Sequence, residues 1–268
     1  MARRLSLAPL TINEAGPLEL IGAAAAGGFD AVSLRVIGPP GVETELVAAN
    51  QIPEIRRRSG DLGIAIFSTT GIWLTPDFEV SRVEHALQNA AALGAACCLA
   101  AGYDEDGPRL SANFAALCRT AARLGLRIGI EFMPYLPVKT IGDALRLLHA
   151  AGELNAGIIV DALHLARSGG APADVAAVEP SLISYVQLCD APLERPPTLE
   201  RREESLRHRL YPGDGELPLV ALMGALPDDV TVDVEAPVAA DAHLPFDERA
   251  RRAGDATRRF LKRLGDRR

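Results

Sequence analysis

Three β-rich runs from Arg127 onward finish on a carboxylate, and a fourth finishes beside an amide. RIGIE ends at Glu131, GIIVD at Asp161 and TVDVE at Glu235, while ISYVQLCD carries Gln187 near its end and Asp190 just beyond it. If these runs are strands of a parallel α/β barrel, side chains at their C-terminal ends converge on one mouth. Carboxylates crowded there repel one another unless something neutralises them, and a divalent cation does so. Oxygen donors suit Mg²⁺ or Mn²⁺, and an added imidazole extends the choice to Co²⁺ or Zn²⁺. Taken singly, an acidic residue after a strand serves equally well as the N-cap of the next helix. Four oxygen-bearing side chains on four different strands shift the balance toward a metal site.

His164 follows Asp161 by three residues in DALHLARSGG, so both side chains fall at the same mouth. That neighbourhood makes His164 a candidate for substrate binding or proton transfer, against the alternative of local packing. The Gly169–Gly170 pair lets the chain turn toward the next helix. In RHRLYPGDGELPL, Arg209 is a candidate clamp for a hydroxyl, carboxylate or phosphate, and Gly213 and Gly215 permit a close backbone approach. Arg207 reads as a surface residue. His208 stands open between ligand and exposed loop, and His85, His149 and His243 fall away from the strand ends. Phe67, Trp73, Tyr103 and Tyr135 stand as either pocket lining or packing.

Elements able to hold these residues recur along the chain. Short β-rich runs cover Leu5–Leu10, Phe29–Val36, Gly63–Ser68, Ala96–Ala101, Arg127–Glu131, Gly157–Asp161, Leu182–Leu188 and Val230–Glu235. Helical spacing of apolar residues marks Arg82–Leu93, Ala112–Leu124, Ile141–Ala151 after a Thr140 N-cap, and Phe246–Leu264. Strands alternating with helices predict βαβ units. About eight such units, with no GxGxxG turn after the first strand, predict a single (β/α)8 TIM barrel over residues 1–268 rather than a doubly wound sheet. The Pro- and Arg-rich stretch Ala191–Arg209 is the longest irregular segment, and long loops in compact domains are commonly functional. It is therefore expected to be a lid.

Composition narrows the function classes. A hydrophobic fraction of 48% supports a large core. The net charge of −7 opposes binding to phosphate backbones, so a small-molecule substrate is expected and nucleic acid is not. The Arg-rich tail from Glu248 to Arg268 reads as a solvated helix. Cys97, Cys98, Cys118 and Cys189 form no CxxC pair and read as buried free thiols in a reducing compartment. The N-terminal apolar stretch is short and broken by Pro9, and no run is long enough to span a bilayer. Those features predict a cytoplasmic location without a membrane partner. A homo-oligomer would be in keeping with soluble enzymes of this kind.

The strings IGIEFMPY, IIVDALHLARSGG, YVQLCDAP, RLYPGDGELPL and TVDVEAP resemble the xylose-isomerase-like barrel superfamily from about Ile128 onward. Before that point only the strand–helix rhythm matches. The superfamily includes ketose epimerases, hydroxypyruvate isomerases, inositol-pathway enzymes, dehydroshikimate dehydratases and DNA-repair endonucleases. The resemblance implies metal ligation by Glu131, Asp161, Gln187 and Glu235, and substrate contact by His164 and Arg209. It also implies that Glu131 and Glu235 move protons on opposite faces of the substrate. The expected activity is that of a metal-dependent isomerase or epimerase of a keto-sugar or sugar phosphate, removing a proton next to a carbonyl that the cation polarises.

One departure bears on this expectation. Many members have His where this chain has Gln187, a harder and neutral ligand that favours Mn²⁺ or Mg²⁺. The string VQLCDAP is closer to the dehydroshikimate dehydratase branch, whose lyase reaction also begins with proton loss beside a carbonyl and is the alternative. A sugar-binding barrel without turnover is a third class, opposed by the retention of both Glu131 and Glu235. The DNA-repair branch needs histidines from early strands, whereas the first half of this chain offers only His85, in a predicted helix.

Overall fold

The computed structural model describes residues 3–38 and 46–265. Eight strands form a closed parallel barrel in sequence order, with the last pairing the first. They are β1 (Leu5–Leu7), β2 (Ala31–Arg35), β3 (Ala65–Leu74), β4 (Cys97–Gly102), β5 (Arg127–Glu131), β6 (Ala156–Asp161), β7 (Ile183–Leu188) and β8 (Val232–Val234). The chain thus has the predicted (β/α)8 architecture. Two strand ends differ from the sequence reading by three residues or more, and the other boundaries agree to within two residues. The run predicted to continue to Leu10 stops at Leu7, because Pro9 opens a 3-10 turn over Pro9–Ile12. The run predicted to end at Ser68 continues to Leu74, which carries Trp73 to the mouth.

Ten helices lie among the described residues. They are α1 (Pro17–Ala26), α2 (Ile52–Leu62), α3 (Val80–Leu93), α4 (Gly107–Ala122), α5 (Ile141–Ala151), α6 (Ala162–Arg167), α7 (Pro172–Ala176), α8 (Arg201–Arg207), α9 (Leu219–Ala225) and α10 (Phe246–Gly265). Helix α5 begins as its sequence predicts: Thr140 caps the Asp143 amide, Asp143 returns a bond to Thr140, and Gly152 at φ 67° ends the helix. Residues Asp266–Arg268 of the basic tail lie outside the described residues. No described helix is long and apolar enough to cross a membrane.

The principal core fills the layer between strands and helices, with Leu7, Leu34, Ile130, Ile158, Val186 and Val232 facing Ile21, Phe114, Leu148 and Phe260. A smaller cluster plugs the barrel itself: Ala31, Phe67, Cys97, Leu99, Ile159 and Tyr185. This plug is why Gly129 is required on β5. A Cβ there would lie 2.6 Å from Ile159 Cγ1. Phe67 packs edge-on against Tyr185 at 5.3 Å, so it belongs to the plug and not to the pocket wall. All four cysteines are buried and free, and burial pushes the thiols of Cys97 and Cys98 up to about 12 and 11.

Candidate active site at the barrel mouth

Strand register brings the strand-end residues together. Asp161 pairs with Gln187 and Gln187 with Asp233, while Glu131 pairs with Ile159, two residues before Asp161. Residues paired across neighbouring strands face the same side, so these side chains point into the mouth. Glu131, Asp161, Gln187 and Glu235 are all buried. Glu131, Asp161 and His164 each present a ligand atom within 4.8 Å of the others. The sequence puts His164 on the substrate side, whereas its position in the fold makes it equally a potential ligand. Its Nε2 lies 3.5 Å from Glu131 Oε1.

Asp161 serves two roles at once. One oxygen caps α6 by accepting the His164 amide at 2.8 Å, and the other accepts Arg209 Nη1 at 2.6 Å. Arg209, fully buried, also reaches Glu235 Oε2 at 3.2 Å and donates Nε to the Ser205 carbonyl at 2.7 Å. It therefore spans the two carboxylates while also lining the cavity above them. Gln187 Nε2 donates to Glu235 Oε1 at 3.0 Å, which orients the amide and leaves Gln187 Oε1 buried with no hydrogen-bond partner. Buried polar atoms are nearly always satisfied. An orphaned carbonyl oxygen inside a carboxylate ring is what a cation's donor set would leave, and the oxygen-rich set fits a hard divalent ion.

The electrostatics follow from crowding. Burial, then the charges of Glu235 and Asp161, push the Glu131 carboxyl well above the usual carboxylate range. Burial pushes Glu235 up to about 7, against the opposing pull of Arg209. For Asp161 burial opposes ionisation, but Arg209 and His164 prevail and hold it below its ordinary value. Burial drives the His164 imidazole down to about 4, so it is neutral near pH 7.

Above this ring is a cavity of about 80 Å³. Its walls include Leu10, Arg35, Trp73, Tyr103, Tyr135 and Leu206. Trp73 is fixed by donating Nε1 to the Gly38 carbonyl at 2.8 Å and meets Tyr103 edge-on at 5.7 Å. Tyr135 stands edge-on to His164 and hydrogen-bonds Ser205.

Other sequence candidates fall elsewhere. His208 is half-exposed beside Glu203, outside the cavity. Asp190 accepts the amides of Ala191, Gly213 and Leu217 and so braces a loop. The close approach expected at Gly215 is to that carboxylate, since a Cβ there would lie 2.5 Å from Asp190 Oδ1. The segment Ala191–Arg209 is not wholly irregular, because it contains α8, whose Arg202, Ser205 and Leu206 roof the cavity.

Two further inward residues are not among the sequence candidates. Asp233, two before Glu235, is fully buried and accepts Ser33 Oγ at 2.9 Å; strand alternation from Glu235 is the signal that points to it. Arg35 ends β2 as Glu131 ends β5, and the strand-end rule applies to it equally. It donates to Asn13 Oδ1 at 2.9 Å, and burial pushes its guanidinium down to about 10.

Comparison with known proteins agrees with this architecture. The chain is 30% identical over 233 residues to a 3-dehydroshikimate dehydratase of Pseudomonas aeruginosa, an alignment spanning 80% of this chain and 34% of that protein. The chain thus spans about a third of the length of that curated relative. Among solved structures, a xylose isomerase-like TIM barrel/4-hydroxyphenylpyruvate dioxygenase fusion protein superposes with a TM-score of 0.81 at 22% identity, covering 100% of this chain and 44% of that one. The IolI protein with a bound zinc atom superposes with a TM-score of 0.80 at 16% identity, covering 97% and 99%. A family model for the xylose isomerase-like TIM barrel matches residues 21–263. With a closed eight-stranded barrel and that match over most of its length, the chain belongs to the xylose isomerase-like TIM-barrel family.

Proposed function

We propose that this protein is a divalent-metal-dependent enzyme that removes a proton from the carbon next to a carbonyl of a small polyhydroxy carbonyl compound. The observation that carries the reading is the unpartnered, buried Gln187 Oε1 set among Glu131, Asp161 and Glu235. Those four residues would hold the cation, Mn²⁺ or Mg²⁺ before Co²⁺ or Zn²⁺. A divalent ion held there would supply Lewis acidity toward a carbonyl oxygen.

The chain's own residues do the rest. Glu131 and Glu235 stand on different strands, so each addresses a different face of a bound ligand, and a carboxyl near 7 is matched to proton transfer at neutral pH. Arg209 keeps Asp161 ionised and holds Glu235 in place. Neutral His164 offers a ring N–H to a hydroxyl. Leu10, Trp73, Met133 and Leu206 keep bulk water from the reacting carbon.

Two outcomes share the first step. Expulsion of a β-hydroxyl as water, aided by His164, gives a dehydratase. The 30% identity to a 3-dehydroshikimate dehydratase favours that reading, and 3-dehydroshikimate is the first substrate to try. Return of the proton to carbon gives an isomerase or epimerase, the reading favoured by the paired glutamates alone. A screen of keto-sugars, their phosphates and 3-dehydroshikimate in deuterated water separates them. Loss of water with a new ultraviolet chromophore identifies the dehydratase. Deuterium in a product of unchanged formula identifies the isomerase or epimerase. Absence of both, with Mn²⁺ bound, would overturn the proposal.

A further inference from the structure

The cavity over the carboxylate ring measures about 80 Å³, whereas pockets for small organic ligands run about 300–1,000 Å³. A larger cavity of about 450 Å³ adjoins it, lined by Asn13, Glu14, Glu203, Arg207, His208 and Arg249 among others. Leu10 and Leu206 line both spaces and form the partition between them. One side of that partition belongs to α8.

Helix α8 is held in an unusual way. Its sequence is RREESLR, and the residues it buries are Glu204 and Ser205, while Leu206 is only half-buried. Seven residues do not sustain a helix in water, and this one gains little from apolar burial. Polar bonds hold it instead. Arg167 on α6 donates to both oxygens of Glu204, at 2.9 and 2.7 Å, in an ion pair with both side chains buried. The same guanidinium donates to the carbonyls of Pro192 and Leu193, at 2.8 and 2.9 Å, and so ties down the start of the segment. Beyond the latch, Ser205 bonds Tyr135 and its carbonyl accepts Arg209. Such directional contacts are lost together when the helix moves, whereas an apolar seam would slip gradually.

We propose that α8 with the segment leading to it is a gate between the outer chamber and the site, and that Arg167–Glu204 is its latch. The outer chamber receives the ligand, and release of the latch lets Leu206 swing from Leu10 and joins the two spaces. Helix α6 also carries His164, so the latch ties the gate to the element that presents the site. The proposal rests on the barrel-mouth site of the preceding reading but not on the reaction performed there.

Arg167→Met strands a buried Glu204 and Glu204→Gln strands a buried Arg167, so either alone risks misfolding. The double variant Arg167→Met/Glu204→Leu removes both charges and keeps the volume filled, a change that is often neutral for stability. Two measurements read the gate. Amide hydrogen exchange of residues 193–207 in the metal-free protein is expected to rise more than about tenfold in the double variant, with the barrel strands unchanged. Release of Co²⁺ into excess EDTA, followed by the fluorescence of Trp73, the chain's one tryptophan, should quicken in that variant and in Leu206→Ala. Unchanged exchange in 193–207 overturns the latch, and unchanged release in both proteins overturns the gate. Failure of Co²⁺ to bind would count against the site itself, and the exchange measurement would still decide the latch.

Discussion

Glutamine at position 131 or 235 is expected to slow exchange of the substrate's carbon-bound hydrogen with solvent by about 10²–10⁴-fold, the usual contribution of a positioned acid or base. The replacement keeps shape and hydrogen-bonding reach but cannot accept a proton. Glu235→Gln should also weaken the contact with Arg209, now 3.2 Å from its carboxylate, and so raise KM along with the loss in kcat. Glu131 has the neutral His164 ring as its close neighbour, at 3.5 Å, and Glu131→Gln should act chiefly on kcat. Both variants must be assayed with bound Mn²⁺ measured in the same sample. Exchange at the rate of the unaltered protein in both, with metal bound, would remove the glutamates from the mechanism.

The second large effect is on stability. Glu235, pushed up to about 7 by burial from an ordinary 4.5, and Glu131, raised well above that value, bind protons more tightly folded than unfolded. Above pH 4.5 these two groups therefore hold extra protons in the metal-free folded state, and their contribution to stability falls as pH rises; Asp233, raised from 3.8 to about 6, adds to the fall, while His164, lowered from 6.5 to about 4, opposes it. The Glu235 contribution is fully present below pH 4.5 and is lost as pH passes through about 7. Asp161, shifted the other way, acts only below its ordinary 3.8 and does not enter this window. A divalent ion bound by these residues would replace those protons. At 100 times its Kd, Mn²⁺ should raise Tm by roughly 5–10 °C near pH 8, from about 2.7 kcal/mol at about 2–4 °C per kcal/mol. The gain should shrink toward pH 5, where protons compete for the ligands. Melting curves with Mn²⁺ and with EDTA at both pH values check this, and a gain that is equal at the two or larger at pH 5 would contradict it.

Much of the barrel and its mouth is legible in the amino-acid sequence. RIGIE, GIIVD and TVDVE announce their ends because a buried strand run stops where a carboxylate must meet polar surroundings, and in a barrel those ends share one mouth. Asp233 follows from the same alternation but stands out less, since an inward carboxylate below the mouth has no motif of its own. Helix α8 is not legible. A helix reveals itself by an apolar stripe, and RREESLR turns its acid and serine inward, where only Arg167 and Tyr135, far off in sequence, make that favourable. The position of Arg209 between Asp161 and Glu235 likewise depends on where α8 delivers it, and no spacing in RHRLYPGDG encodes that.

Glu131, Asp161, Gln187 and Glu235 are expected to share one divalent ion. Crystals grown with Mn²⁺ and measured at the manganese absorption edge test it most directly. The expected result is one anomalous peak at the mouth in contact with Glu131, Asp161, Glu235 and the Gln187 Oε1 atom that now lacks a partner. A mouth without a peak, or a peak that leaves Gln187 Oε1 unbound, would contradict it.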